Sequence, residues 1–159
     1  MKTILITGAS SGIGCALAKI YAENSHNLVL VARREEKLKD LKEELEKKHS
    51  ISVIIEVMDL SKKENLEILS LKYKNIDVLI NNAGLGQYGK FDSYNLETDI
   101  SMINLNILTP IILTKFFAKS MKSGSKIINI ASTAGFQPVP LMAIYSATKS
   151  FIVDFTLAI

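Results

Sequence analysis

The junction at residues 2–14 constrains this chain more than any other feature. The apolar run Ile4-Leu5-Ile6 stops at Thr7, and Gly8-Ala9-Ser10-Ser11-Gly12-Ile13-Gly14 leads straight into helix-like sequence. A short apolar run cut by glycine and continued as a helix reads as a strand, a sharp turn and a helix: the start of a βαβ unit. Gly8 lets the chain turn sharply, Gly12 lets the backbone approach a pyrophosphate, and Gly14 permits close helix–strand packing. The helix N-terminus beyond them offers unpaired N–H groups and a favourable dipole to an anion, with the hydroxyls of Ser10 and Ser11 alongside. No Gly-Lys-Ser/Thr follows, which excludes a P-loop.

The remainder of the chain repeats that alternation. Apolar runs at 2–7, 27–32, 52–58, 76–80 and 126–131 are rich in Ile, Val and Leu with little polar alternation. Such runs suit strands covered on both faces, so the expected fold class is α/β, with a parallel sheet between helices. Leu38, Leu41 and Leu45 form an apolar stripe on a helix at 35–49, whose other positions are mostly charged. Residues 33–49 hold 13 charged side chains, seven basic and six acidic, read as a solvated face with i,i+4 pairs. Further helices are expected at about 62–74, 96–122 and 144–159, with Pro110 kinking or breaking the second.

Composition closes off several classes. With 159 residues, 8 Gly, 3 Pro and 1 Cys, the chain fits one domain, 1–159, and neither a disulfide framework nor a disordered tract. A formal charge of +3 is too small to argue for nucleic acid, and Phe91, Tyr94, Phe116 and Phe117 form no stacking platform. His26 and His49 have no second ligand at metal spacing, so no metal is expected. Cys15 reads as a packing residue. The glycine turn comes too early for a signal peptide, and no apolar run approaches a membrane span, so the expected setting is cytoplasmic, with no membrane partner.

The end of the second strand chooses between NAD and NADP. An acidic residue there would bond the ribose 2′-OH and repel a 2′-phosphate. Here the strand ends Val31-Ala32-Arg33-Arg34, and a guanidinium can pair with a phosphate in fork geometry. NADP(H) is therefore expected ahead of NAD(H), read by Arg33 with Arg34 as a second candidate.

Tyr145 and Lys149 stand at i and i+4, so both project from one helical face. Ser132 precedes Tyr145 by 13 residues at the end of the fifth strand, where sheets of this kind bind their ligands. Ser146 and Lys149 also fit the S-x-x-K pattern of acylating serines, but S-D-N and K-T-G are absent.

Together, T-G-x-x-x-G-x-G at Thr7–Gly14, N-N-A-G at Asn81–Gly84, Ser132 and Tyr145-x-x-x-Lys149 resemble the short-chain dehydrogenase/reductase family. The resemblance implies a Rossmann-type, doubly wound parallel sheet of order 3-2-1-4-5, and hydride transfer between NADP(H) and a carbonyl or alcohol substrate, with Ser132, Tyr145 and Lys149 catalytic. It adds Asn106, whose counterpart holds a water linked to the lysine; Asn104 is the alternative. It places the cofactor against Gly8, Ser10, Ser11, Gly12, Ile13, Gly14, Arg33, Arg34, Asp59, Leu60, Asn82, Ala83, Gly84, Tyr145 and Lys149, and it implies a homo-oligomer.

The chemistry suits the residue types. A free tyrosine of pKa about 10 is a poor proton shuttle at neutral pH, and a neighbouring ammonium favours its phenolate. A reading from another class, a nucleotide-binding module without turnover, is separated from the enzyme by an NADPH-oxidation assay. The family pattern continues past the tyrosine helix into strands 6 and 7, which are absent here. Strand five would then be an unpaired edge, so the chain is expected to be a truncated form of a longer enzyme.

Overall fold

A computed structural model describes residues 1–159. Strands β1 (Thr3–Thr7), β2 (Asn27–Ala32), β3 (Val53–Val57), β4 (Val78–Asn81) and β5 (Lys126–Asn129) form one five-stranded sheet of order β3-β2-β1-β4-β5. All neighbours are parallel, with Ile4 paired to Leu28 and Val78, and Ile80 to Ile128. Helices α1 (Gly12–Glu23), α2 (Glu35–Lys48), α3 (Lys63–Lys72), α4 (Leu96–Ile103), α5 (Thr109–Ala118) and α6 (Ala143–Ala158) flank it. The order matches the expected doubly wound sheet.

Two apolar clusters hold the layers together, and strand periodicity sorts residues between them. Ile4, Ile6, Leu28 and Leu30 face α1 and α2, meeting the Leu38, Leu41 and Leu45 stripe. Leu5, Val29, Val31 and Leu79 face the other way, with Leu66 and Leu69 of α3 and Leu113 and Phe117 of α5. Each such side chain contributes about 1.5–3 kcal/mol by leaving water. Burial on both faces explains why β1 and β2 read as continuous apolar runs. The edge strands β3 and β5 are more exposed. The free edge of β5 lies beside a cavity of about 510 Å³ lined partly by Ile127, Asn129, Phe155 and Ile159.

The long helix departs from expectation. It ends at Ala118 rather than near residue 122, and a π-helical stretch, Asn104–Leu108, joins α4 to α5. Thr109 N–H reaches back to the Asn104 carbonyl five residues earlier. The cause is Pro110, which has no N–H for the carbonyl of Asn106. A widened turn takes up the mismatch. The whole run Leu96–Ala118 is 23 residues and is long and apolar enough, by those two measures alone, to cross a membrane. Glu97, Asp99 and Lys115 interrupt it and conceal this in the sequence. Here Leu113 and Phe117 pack into the sheet, so it serves as a core helix.

Candidate active site

The turn after β1 shows why three glycines stand in it. Gly8 and Gly12 have φ of +69° and +56°, a region that costs other residues about 1–2 kcal/mol. A Cβ at Gly12 would stand in open space, with nothing within 4 Å. One at Gly14 would lie 2.6 Å from Asn82 Nδ2 and closer still to the Gly8 carbonyl oxygen.

Thr7, to which the sequence assigned no role of its own, ties this turn to β4. Its hydroxyl donates to Ile80 O at 3.2 Å and accepts from the Asn82 and Ala83 N–H groups, each at 2.9 Å. Asn82 Nδ2 returns the connection by donating to Thr7 O at 2.9 Å. Asn81 turns the other way, into the core, where its Nδ2 donates to Thr114 and Asn129.

These ends of β1, β2, β3 and β4 enclose a cleft of about 450 Å³. Gly8, Ser10, Ser11, Arg33, Arg34, Asp59, Leu60, Asn82, Ala83 and Gly84 all line it, which brings together most of the expected cofactor residues. The two arginines have different settings. The Arg34 guanidinium bridges the glycine turn, donating to Ser10 Oγ at 2.9 Å and to Ser11 Oγ at 2.5 Å. Arg33 lines the same cleft as Asp59. Burial works against the Asp59 charge, but the N–H and hydroxyl of Ser61, with Arg33 and Lys62 nearby, hold its pKa below the ordinary value.

A second cleft of about 400 Å³ adjoins the first, and Asn82 and Gly84 line both. Ile13, Tyr145 and Lys149 line this one, with Leu85, Gln87, Tyr88, Ala131 and Met142. Tyr145 packs its ring against Gly86, where an added Cβ would sit 3.3 Å from ring carbons. The Lys149 ammonium lies 5.8 Å from the centre of that ring and donates to Ile130 O at 2.8 Å. Lys149 is only 6% exposed, and burial lowers its pKa from the ordinary value. It has protons left for further acceptors after the bond to Ile130.

Ser132 lies three residues beyond Asn129, where β5 ends, and caps a short 3₁₀ turn, Thr133–Gly135. Its Oγ accepts from Ala134 N–H at 3.2 Å. Its neighbour Ala131 lines the second cleft; Ser132 itself does not. The occupied lone pair leaves the hydroxyl proton free to donate elsewhere.

Asn106 is buried, while the Asn104 carbonyl accepts from Thr109 Oγ1 at 3.1 Å. Asn106 Oδ1 accepts from Leu85 N–H at 2.9 Å, and Nδ2 donates to Leu85 O at 2.8 Å and Thr148 Oγ1 at 3.0 Å. The Asn106 side-chain amide thus clamps the loop after β4 against α6. Thr148 and Leu85 enter the site through this clamp. Thr148 stands inside the Tyr-x-x-x-Lys motif, but Leu85 had no sequence signal, because its part is played by its backbone.

Relatives share this architecture. A computed match to the family described as short chain dehydrogenase runs over residues 2–159. An 11-beta-hydroxysteroid dehydrogenase-like 4A from Arabidopsis thaliana is 37% identical over 161 residues, covering 97% of this chain and 54% of its own length. A bulky-bulky ketone specific alcohol dehydrogenase from Comamonas testosteroni superposes with a TM-score of 0.95 at 34% identity, covering 99% of this chain and 66% of its own. A short-chain dehydrogenase from Sphingobium yanoikuyae, solved with NADPH, superposes at 0.94 with 36% identity, over 99% and 64%. The chain therefore spans about half to two-thirds of the length of the relatives it matches. With a family match over nearly every residue, the same sheet order, and both clefts at the carboxyl ends of the strands, the chain belongs to the short-chain dehydrogenase family.

Proposed function

We propose that this chain binds NADP(H) and carries the proton-transfer groups of an oxidoreductase that interconverts a carbonyl compound and its alcohol. The observation that carries the reading is the continuity of the two clefts. Asn82 and Gly84 form a shared wall, with the glycine turn and arginines on one side and Tyr145 and Lys149 on the other.

The first cleft fits the dinucleotide. Gly12 presents open space at the N-terminus of α1, where a phosphate finds unpaired N–H groups and the positive end of the helix dipole. Arg34 pairs with the 2′-phosphate in this reading, which its approach to Ser10 and Ser11 at the glycine turn supports. Arg33 and Asp59, with Leu60, take the adenine side. NADPH in the Sphingobium relative supports this choice of cofactor.

A nicotinamide held in the first cleft would give the hydride in reduction and accept it in oxidation. The chain supplies the rest. Tyr145 gives or takes the proton at the substrate oxygen, and Ser132 donates a hydrogen bond to that oxygen as charge develops. The Lys149 ammonium favours the tyrosinate and offers its spare protons to the nicotinamide ribose. Asn106 positions this set by holding Leu85 against Thr148. The reading includes a homo-oligomer, supported by Ile100, Ile103 and Phe116, which are apolar and exposed along the long helix.

Replacing Tyr145 by Phe tests the assignment. NADPH binding, read by nucleotide fluorescence, should persist, and ketone-dependent NADPH oxidation should fall at least ~100-fold. Undiminished turnover would overturn the role of Tyr145, and binding without turnover in the unaltered chain would leave a nucleotide-binding module.

A further inference from the structure

Gln87 carries an unusual feature for a residue so close to the reacting groups. Its Oε1 is buried and has no hydrogen-bond partner. A buried acceptor left unpaired costs about 1–3 kcal/mol, so folded chains rarely leave one without reason. Gln87 lines the second cleft beside Tyr145 and Lys149. With Tyr145 and Met142 it also lines a small adjoining cavity of about 20 Å³. The loop that carries it is pinned on both sides. Leu85 is held by Asn106, and Gly89 N–H donates to Leu141 O at 2.8 Å. The backbone at Gln87 is therefore fixed near Tyr145, while its Oε1 is left without the partner it needs.

The rest of the cleft says what that partner can be. Ile13, Leu85, Tyr88, Ile130 and Met142 give it apolar walls. The only cation lining it is Lys149, already bonded to Ile130 O. Walls of this kind favour an uncharged ligand. A primary amide both donates and accepts, and can meet either a hydroxyl or a carbonyl.

We infer that Gln87 is a specificity-determining residue: its amide turns into the cleft and hydrogen-bonds a second oxygen on an uncharged, largely apolar ketone, close to the carbonyl that reacts at Tyr145. The substrate class is thus an α- or β-oxygenated ketone in place of a simple one. This rests on the carbonyl-reducing function proposed above and deepens it.

The test uses the full chain with NADPH and two ketones of nearly equal size. 1-Phenyl-1,2-propanedione carries the second oxygen, and 1-phenyl-1-propanone lacks it. Gln87→Met keeps the side-chain length and removes the amide. The ratio of kcat/KM for the dione to kcat/KM for the monoketone should fall about tenfold in the variant, the size expected for one hydrogen bond to substrate. Taking that ratio cancels the dione's greater intrinsic reactivity and any general loss of folded protein. Gln87→Leu should shift it in the same direction. An unchanged ratio, or equal losses on both ketones, would overturn the role of Gln87 while leaving the carbonyl-reducing function standing. Failure of the unaltered chain to oxidise NADPH with either ketone would overturn both.

Discussion

Gly14→Ala is the sharpest test of how the glycine turn is built. The added Cβ would lie 2.6 Å from Asn82 Nδ2, 2.9 Å from the Gly8 carbonyl carbon and nearer still to the Gly8 oxygen. Ordinary contact needs about 3.5 Å, so the neighbours would have to retreat by roughly 0.5–1 Å. They are poorly able to do so. Gly8 N–H is bonded to Val31 O at 2.8 Å, and Asn82 Nδ2 to Thr7 O at 2.9 Å. Overpacking costs about 1–3 kcal/mol, and a strained or broken hydrogen bond about 1 more, so a loss of about 3 kcal/mol is expected. For a domain of this size that lowers Tm by about 6–12 °C.

Gly12→Ala should behave in the opposite way. It meets no neighbour within 4 Å, and its φ of +56° costs about 1–2 kcal/mol, a few degrees in Tm. Its methyl, however, stands where a phosphate would approach the backbone, so NADPH affinity should fall tenfold or more. The assay is thermal unfolding by circular dichroism together with NADPH titration by fluorescence. A Gly14→Ala chain that melts within 2 °C of the parent would refute the close-approach argument. A Gly12→Ala chain with undiminished NADPH affinity would refute the placement of the cofactor at this turn.

Asn106→Ala should cost about 3 kcal/mol in urea unfolding, because it strips both partners from the Leu85 backbone and one from Thr148; a loss below about 1 kcal/mol would contradict the clamp. Leu141 has φ of +65°, so Leu141→Gly should raise stability by about 1 kcal/mol, and a lower Tm would show that this backbone is unstrained. Lys149→Met tests pH dependence. Burial lowers the Lys149 pKa, so on raising pH the folded chain releases that proton before the unfolded chain does. The unfolded state then binds more protons, and stability rises between the lowered value and the ordinary 10.5. The variant should lack that rise, and parallel pH profiles from urea titrations would contradict it. Arg34→Ala should weaken NADPH more than NADH and more than Arg33→Ala does; equal losses for the two cofactors in titrations would remove Arg34 from the 2′-phosphate site.

What could be read from the sequence was whatever local chemistry alone dictates. Burial on both faces forces β1 and β2 to be apolar throughout, so Ile4–Ile6 and Leu28–Val31 announce a parallel sheet without any partner being known. The glycines at 8, 12 and 14 are similar, since positive φ at Gly8 and Gly12 and missing space at Gly8 and Gly14 disfavour other residue types. Where function depends on which of two like groups turns inward, local pattern gives no answer. Arg33 and Arg34 are adjacent and chemically identical; only the return of the chain past Ser10, Ser11 and Asp59 gives them different neighbours. Ser132 is displaced beyond the strand it was expected to end, because β5 stops pairing at Asn129 and the chain turns early at Thr133. The widened turn before Pro110 has a visible cause in the sequence but no visible remedy. Whether a missing N–H yields a kink, a break or a π-turn depends on what each alternative would bury, and here the π-turn leaves Asn106 facing Leu85 and Thr148. Gln87 is the extreme case. Its type is ordinary for a loop, and its interest lies in a hydrogen bond it does not make, which no sequence pattern records. Motifs therefore record the residue types that local chemistry demands, whereas a polar group that the fold leaves unsatisfied leaves no mark in them.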